Sequence, residues 1–149
     1  MKQPVELLTE AFRELQLPPD AAIWLLDLWH VTQVFDDVAD GDAVDRDDLD
    51  GAIWKGLVAM PANPYFIAHQ STLQPVLATA IMKWKASDSA EKAGKADEKS
   101  FVWRAGYYDV LMCVVMLCHD PETAMALADE VMALYGEDFA KYREEFGHG

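Results

Sequence analysis

Apolar residues recur every three to four positions along nearly the whole chain, and strict apolar–polar alternation is absent. That period belongs to amphipathic helices. The first, PVELLTEAFREL, opens on Pro4, and LPPDAA breaks it, with Asp20 as the expected N-cap of the next. A second helix is expected over residues 21–40, stopped by Gly41. GDAVDRDD forms a loop, and DLDGAIWKGLVAM a third helix. PANP separates it from a long fourth, about 64–93, with Pro75 as a kink. SDSAEKAGKADEKS, broken at Gly94, is the expected mobile segment. A fifth helix, about 97–118, ends at HDPE, and Pro121 opens a sixth, ETAMALADEVMALYG. EDFAKYREEF is a short last helix. The expected fold is an all-α, single-domain bundle of about six helices spanning residues 1–149.

Projecting the second helix at ~100° per residue puts Ile23, Trp24, Asp27, Val31, Val34, Phe35 and Val38 on one stripe, with Asp27 at its centre. His30 and Asp37 lie together on one border, and Asp36 and Asp40 nearly opposite Asp27. Leu25, Leu26 and Trp29 cover the far side, so the first half is apolar all round. Such a helix is central in its bundle or is covered by a partner, which predicts a homo-oligomer, a dimer first. The fourth helix carries Phe66, His69, Leu73, Leu77, Ala80, Ile81 and Trp84 on one stripe, with Lys83 at its border. YYDVLMCVVMLC is apolar on every face, with Asp109 its one charge.

A lone buried carboxylate costs several kcal/mol, so Asp109 must be neutralised, paired or metal-bound. Asp27, His30, His69 and Asp109 therefore form a candidate interior polar cluster. It reads either as a hydrogen-bonded network that positions helices or as a ligand or metal site.

With 149 residues, 52% of them apolar, the chain is long enough to remove roughly 70% of its unfolded surface from water. Charge narrows the partners. Twelve basic against 26 acidic residues give a net charge of −14. Such a chain repels phosphate backbones and anionic lipid heads, which argues against direct nucleic-acid and membrane binding. No run of 18 apolar residues is present, and the N-terminus lacks a signal-peptide core. Cys113 and Cys118 point in opposite directions on one helix, which fits a reduced, cytoplasmic chain. No Gly-x-Ser-x-Gly, P-loop or CxxC motif points to covalent or nucleotide chemistry.

DDVAD, Asp36 to Asp40, resembles the DDxxD motif of class I isoprenoid (terpenoid) synthases. Those enzymes are all-α, and their motif holds Mg²⁺ ions that grip a substrate diphosphate. The resemblance implies Asp36 and Asp40 as the main metal ligands, supported by Asp37, with hard oxygen donors suited to Mg²⁺. It covers five residues, and no second metal motif follows. DVADGDAVDRDDL, 37–49, resembles an EF-hand loop with Asp37 and Asp48 at its terminal ligand positions, but Ala39 and Gly41 replace two ligands. CHD, Cys118 to Asp120, contains the HD pair of metal-dependent phosphohydrolases, although Asp120 also reads as an N-cap.

Two functions follow. One is a small Mg²⁺-dependent protein binding a phosphorylated or diphosphate ligand through Asp36, Asp37 and Asp40. The other is a non-catalytic helical subunit or interaction module whose acidic surface meets a basic partner. The second predicts an exposed apolar patch, expected around Trp29 or Leu25.

Overall fold

A computed structural model describes residues 5–146 of the chain; within them every regular element is helical and no strand occurs. The elements are α1 (Val5–Glu14), α2 (Pro19–Ala39), α3 (Arg46–Trp54), a π turn (Lys55–Ala59), α4 (Met60–Ala62), α5 (Pro64–Lys92), α6 (Glu98–Trp103), α7 (Gly106–Cys118), α8 (Pro121–Ala133) and α9 (Phe139–Phe146). The all-α expectation holds, but six helices is too few. The expected fifth helix breaks at Arg104 and Ala105 into α6 and α7, and the third continues through the π turn into α4. Pro4 lies outside the described residues.

Local chemistry sets the ends. Pro18 is the N-cap of α2, and Pro19 fills its first helical position, where a missing N–H is harmless. Asp20, expected as the cap, instead sits in the first turn, where its charge still favours the helix dipole. α2 stops as expected at Gly41, whose φ is +77°. Gly41 N–H donates to the Val38 carbonyl and Asp42 N–H to the Asp37 carbonyl, a Schellman closure. Gly94, with φ +71°, closes α5 the same way. The closure after α1 places Gln16 at φ +57°, a conformation in which a side chain is strained.

The described chain divides into two compact units, Val5–Gln70 and the residues from Ser71 onward; α5 contributes to both. Its backbone leaves helical geometry at His69, with φ −121° and ψ 17°. The distortion expected at Pro75 therefore falls further up the helix.

In the Val5–Gln70 unit α2 is central, packed by α1, α3, the π turn and α4. Its inward face differs from the expected stripe. Ala21, Trp24, Leu25, Leu28, Trp29, Val31 and Val34 are buried, whereas Ile23, Phe35 and Val38 are exposed. The helix is turned so that Leu25, Leu28 and Trp29 enter the core and Asp27 stays half-exposed. This avoids burying a charge. Leu25 and Trp29 therefore form no exposed patch. Trp24 stacks on Phe66 with ring centroids 5.5 Å apart.

Asn63 joins α2 to α5. Its Oδ1 accepts from Tyr65 N–H (2.8 Å) and Phe66 N–H (3.2 Å), and its Nδ2 donates to the Asp20 carbonyl (3.0 Å). In the second unit α7 packs on α8 and α6 on α9. Gly106 meets Ala80 so closely that a Cβ there would lie 2.9 Å from the Ala80 carbonyl oxygen.

Candidate functional site

The three aspartates of DDVAD occupy the last turns of α2. Asp36 and Asp37 are half-buried and Asp40 is exposed. The Asp36 carbonyl accepts from Asp40 N–H, and the Asp37 carbonyl from Asp42 N–H, so the backbone here closes the helix. Among the described residues no group of three or more His, Cys, Asp or Glu is arranged to hold a metal ion. Metal binding and magnesium thus gain no support from the placement of Asp36, Asp37 and Asp40. The EF-hand-like ends are used differently. The Asp37 carbonyl belongs to the Schellman closure, and Asp48 Oδ1 lies 3.6 Å from His30 Nε2. Asp120 of the HD pair caps α8, accepting from Thr123 N–H at 2.8 Å and from its hydroxyl at 3.0 Å. That backbone hydrogen bond, with the Thr123 hydroxyl next, lowers the Asp120 carboxyl below its ordinary range.

The four members of the expected interior cluster are distributed over separate partners. Asp27 and His30 share α2 with one turn between them. His30 Nδ1 lies 3.3 Å from Lys55 Nζ, at the start of the π turn. The other ring nitrogen, Nε2, faces Asp48, 3.6 Å from its Oδ1. Burial raises the Asp27 carboxyl above its ordinary value, and the nearby charges of Lys55 and His30 oppose the rise. Gly51 keeps this contact close: a Cβ there would stand 3.3 Å from His30 Cε1. His69 is half-buried, its ring 4.5 Å from that of Tyr65. Asp109 belongs to the other unit, where Lys83 Nζ lies 2.5 Å from its Oδ2. Of the three fates that sequence reasoning allowed for Asp109, pairing is the one observed.

The π turn has a second consequence. Met60 N–H donates to the Lys55 carbonyl, five residues back instead of four. The extra residue sets following side chains back by about one residue's rotation, ~100°. In an unbroken α-helix Met60 would follow Ile53 onto the outer face; here Met60 is buried while Ile53 is exposed. Trp54 is left 63% exposed and Leu57 75%. Lys55, the one basic residue between Asp47 and Val58, turns inward to His30. The outer surface of α3 and the π turn is therefore apolar beside aspartates. The π turn had no sequence signal.

A polar core that sequence reasoning missed lies in the second unit. Glu91 Oε2 accepts from Tyr142 (2.9 Å), with Ser87 Oγ 3.1 Å and Arg104 Nε 3.6 Å away. Arg104 Nη2 also reaches Glu137 Oε1 at 3.2 Å, and Tyr135 donates to Glu137 Oε2 at 2.7 Å. The Ser100 and Tyr142 hydroxyls share a hydrogen bond of 2.6 Å, and Ser100 Oγ also accepts from Asp97 N–H. Burial raises the Glu91 carboxyl, while Tyr142, Arg104 and Ser87 oppose it. Burial likewise raises Tyr135, helped by Glu137, and pushes Tyr108 up to about 12. The phenols stay neutral, and the cation lies between its two carboxylates. This core binds α9 to α5 and α6. It also revises the expected mobile segment: Ser87, Asp88 and Ser100 are buried, because small serines let α5 and α6 approach until Ser87 Oγ donates to the Ser100 carbonyl at 2.8 Å.

No protein-family model, curated protein or solved structure matches the chain. No helix among the described residues is long and apolar enough to cross a membrane. Cys113 is buried and Cys118 half-buried.

Proposed function

We propose that the chain is a non-catalytic helical interaction module that binds another polypeptide through an acidic, partly apolar surface. The observation that carries this reading is the outward face of α3 and the π turn, where Trp54 and Leu57 are mostly exposed on successive turns. Large apolar side chains grouped on a surface commonly mark binding sites, and tryptophan is enriched there. The titratable groups favour it as well. Lys83 pairs with Asp109, Arg104 with Glu91 and Glu137, and His30 with Lys55, so each serves packing.

The competing function is Mg²⁺ and a diphosphate at Asp36, Asp37 and Asp40, and among the described residues no group of three or more His, Cys, Asp or Glu side chains supports it. Calorimetry of metal-free protein with Mg²⁺, with and without pyrophosphate, separates the two. The interaction reading predicts no micromolar binding. Micromolar Mg²⁺ binding that pyrophosphate strengthens and Asp36→Asn/Asp40→Asn abolishes would overturn it.

A further inference from the structure

The partner's chemistry can be read from the same surface, and this step rests on the interaction reading above. Asp47, Asp50, Ile53 and Leu57 follow one another at three- and four-residue spacing, and Trp54 stands four residues after Asp50 and three before Leu57, so the five share one outward side. All five are exposed. The apolar end of the stripe thus continues directly into its acidic end. Between Asp42 and Asp50 the chain holds five aspartates and one arginine, and that arginine, Arg46, is paired with Asp50 at 2.9 Å. Lys55 is turned away to His30.

Three classes of occupant fit poorly. A second copy brings another net −14, so its approach is opposed by like charge. Nucleic acid and anionic lipid are repelled for the same reason. A basic segment with apolar anchors has both the required complements. Its apolar side covers Ile53, Trp54 and Leu57, and its cations meet Asp47 and the aspartates leading into α3. We propose that the face formed by Asp47, Asp50, Ile53, Trp54 and Leu57 docks a basic amphipathic helix of a partner polypeptide. Burying the apolar side chains supplies affinity, and the aspartates supply orientation and a salt-dependent on-rate.

The test is calorimetry of the full chain with a synthetic leucine–lysine peptide of helical period, about five turns long. An isomer of identical composition, scrambled to destroy the apolar face, is the control. The amphipathic peptide should bind at least about tenfold more tightly than its isomer, and higher salt should weaken it. Trp54→Ala/Leu57→Ala should reduce the affinity at least about tenfold. Asp47→Lys, which leaves the apolar side chains in place, should reduce it too. These positions are exposed, so the fold should survive, and circular dichroism checks that it does. Equal binding of the two isomers, no binding of either, or affinity unchanged in Trp54→Ala/Leu57→Ala would overturn the proposal. Met82 and Met125 are exposed apolar side chains of the other unit, and loss of binding in Met82→Ala/Met125→Ala alone would overturn this placement and leave the interaction reading intact. Failure of the interaction reading itself shows separately, as Mg²⁺ and pyrophosphate binding lost in Asp36→Asn/Asp40→Asn.

Discussion

Lys83 Nζ on α5 stands 2.5 Å from Asp109 Oδ2 on α7, and this pair balances the single charge of the most apolar helix. The two side chains are 31% and 37% exposed, so water screens much of their attraction. A double-mutant cycle with Lys83→Met and Asp109→Asn should give a coupling of about 0.5–1 kcal/mol in urea unfolding. A coupling near zero would show that the contact adds nothing to stability.

Asp27 should make stability depend on pH in a definite direction. Burial raises its carboxyl in the folded chain, so the folded state holds that proton more tightly than the unfolded one. The resulting stability is present below the unfolded value, about 3.9, and is lost as pH rises through the folded value. At neutral pH the ionised Asp27 therefore detracts from stability. Asp27→Asn should raise Tm at pH 7, and the gain should shrink toward zero as pH falls below about 4. A Tm gain independent of pH would place the effect elsewhere.

Asn63 caps α5 and anchors it to the start of α2. Asn63→Ala loses the two accepted N–H bonds and the donation to the Asp20 carbonyl. The expected loss is roughly 1–2 kcal/mol in chemical denaturation. Asn63→Asp keeps the cap but loses the bond to Asp20, and should fall between wild type and Asn63→Ala.

Gly106 permits the close approach of α7 to α5. A methyl there meets backbone, not a side chain that can move aside, with the Ala80 carbonyl oxygen 2.9 Å from the added Cβ. Gly106→Ala should destabilise by roughly 1–3 kcal/mol despite its better helix propensity. Gly56→Ala is the control, because its Cβ would meet only Val31 Cγ1, at 4.0 Å.

Helices were legible wherever the period was long and the punctuation strong. Gly41, Gly94, Pro121 and the Asp120 cap all stand where the sequence reading put them. The inward face of α2 was not legible, because its first half is apolar all round and periodicity has no preferred direction there. The cost of burying Asp27 then decides which side faces in. Asp109 was correctly read as needing a partner, and Lys83 at the neighbouring border supplies it. The Glu91–Arg104–Glu137 core was hidden because its members are spread from residue 91 to 142 in stretches that look solvated. The π turn at Lys55–Ala59 left no mark on the apolar period, and neither did the exposure of Trp54 and Leu57.

The most direct test of the interaction reading is a titration of isotope-labelled protein with the amphipathic leucine–lysine peptide, followed by backbone amide and tryptophan indole shifts. The reading predicts saturable shifts concentrated between Asp47 and Val58, including the Trp54 indole, and little change at Asp36 to Asp40. Shifts centred on Asp36 to Asp40 with an unmoved Trp54 indole, or no saturable shift anywhere, would contradict it.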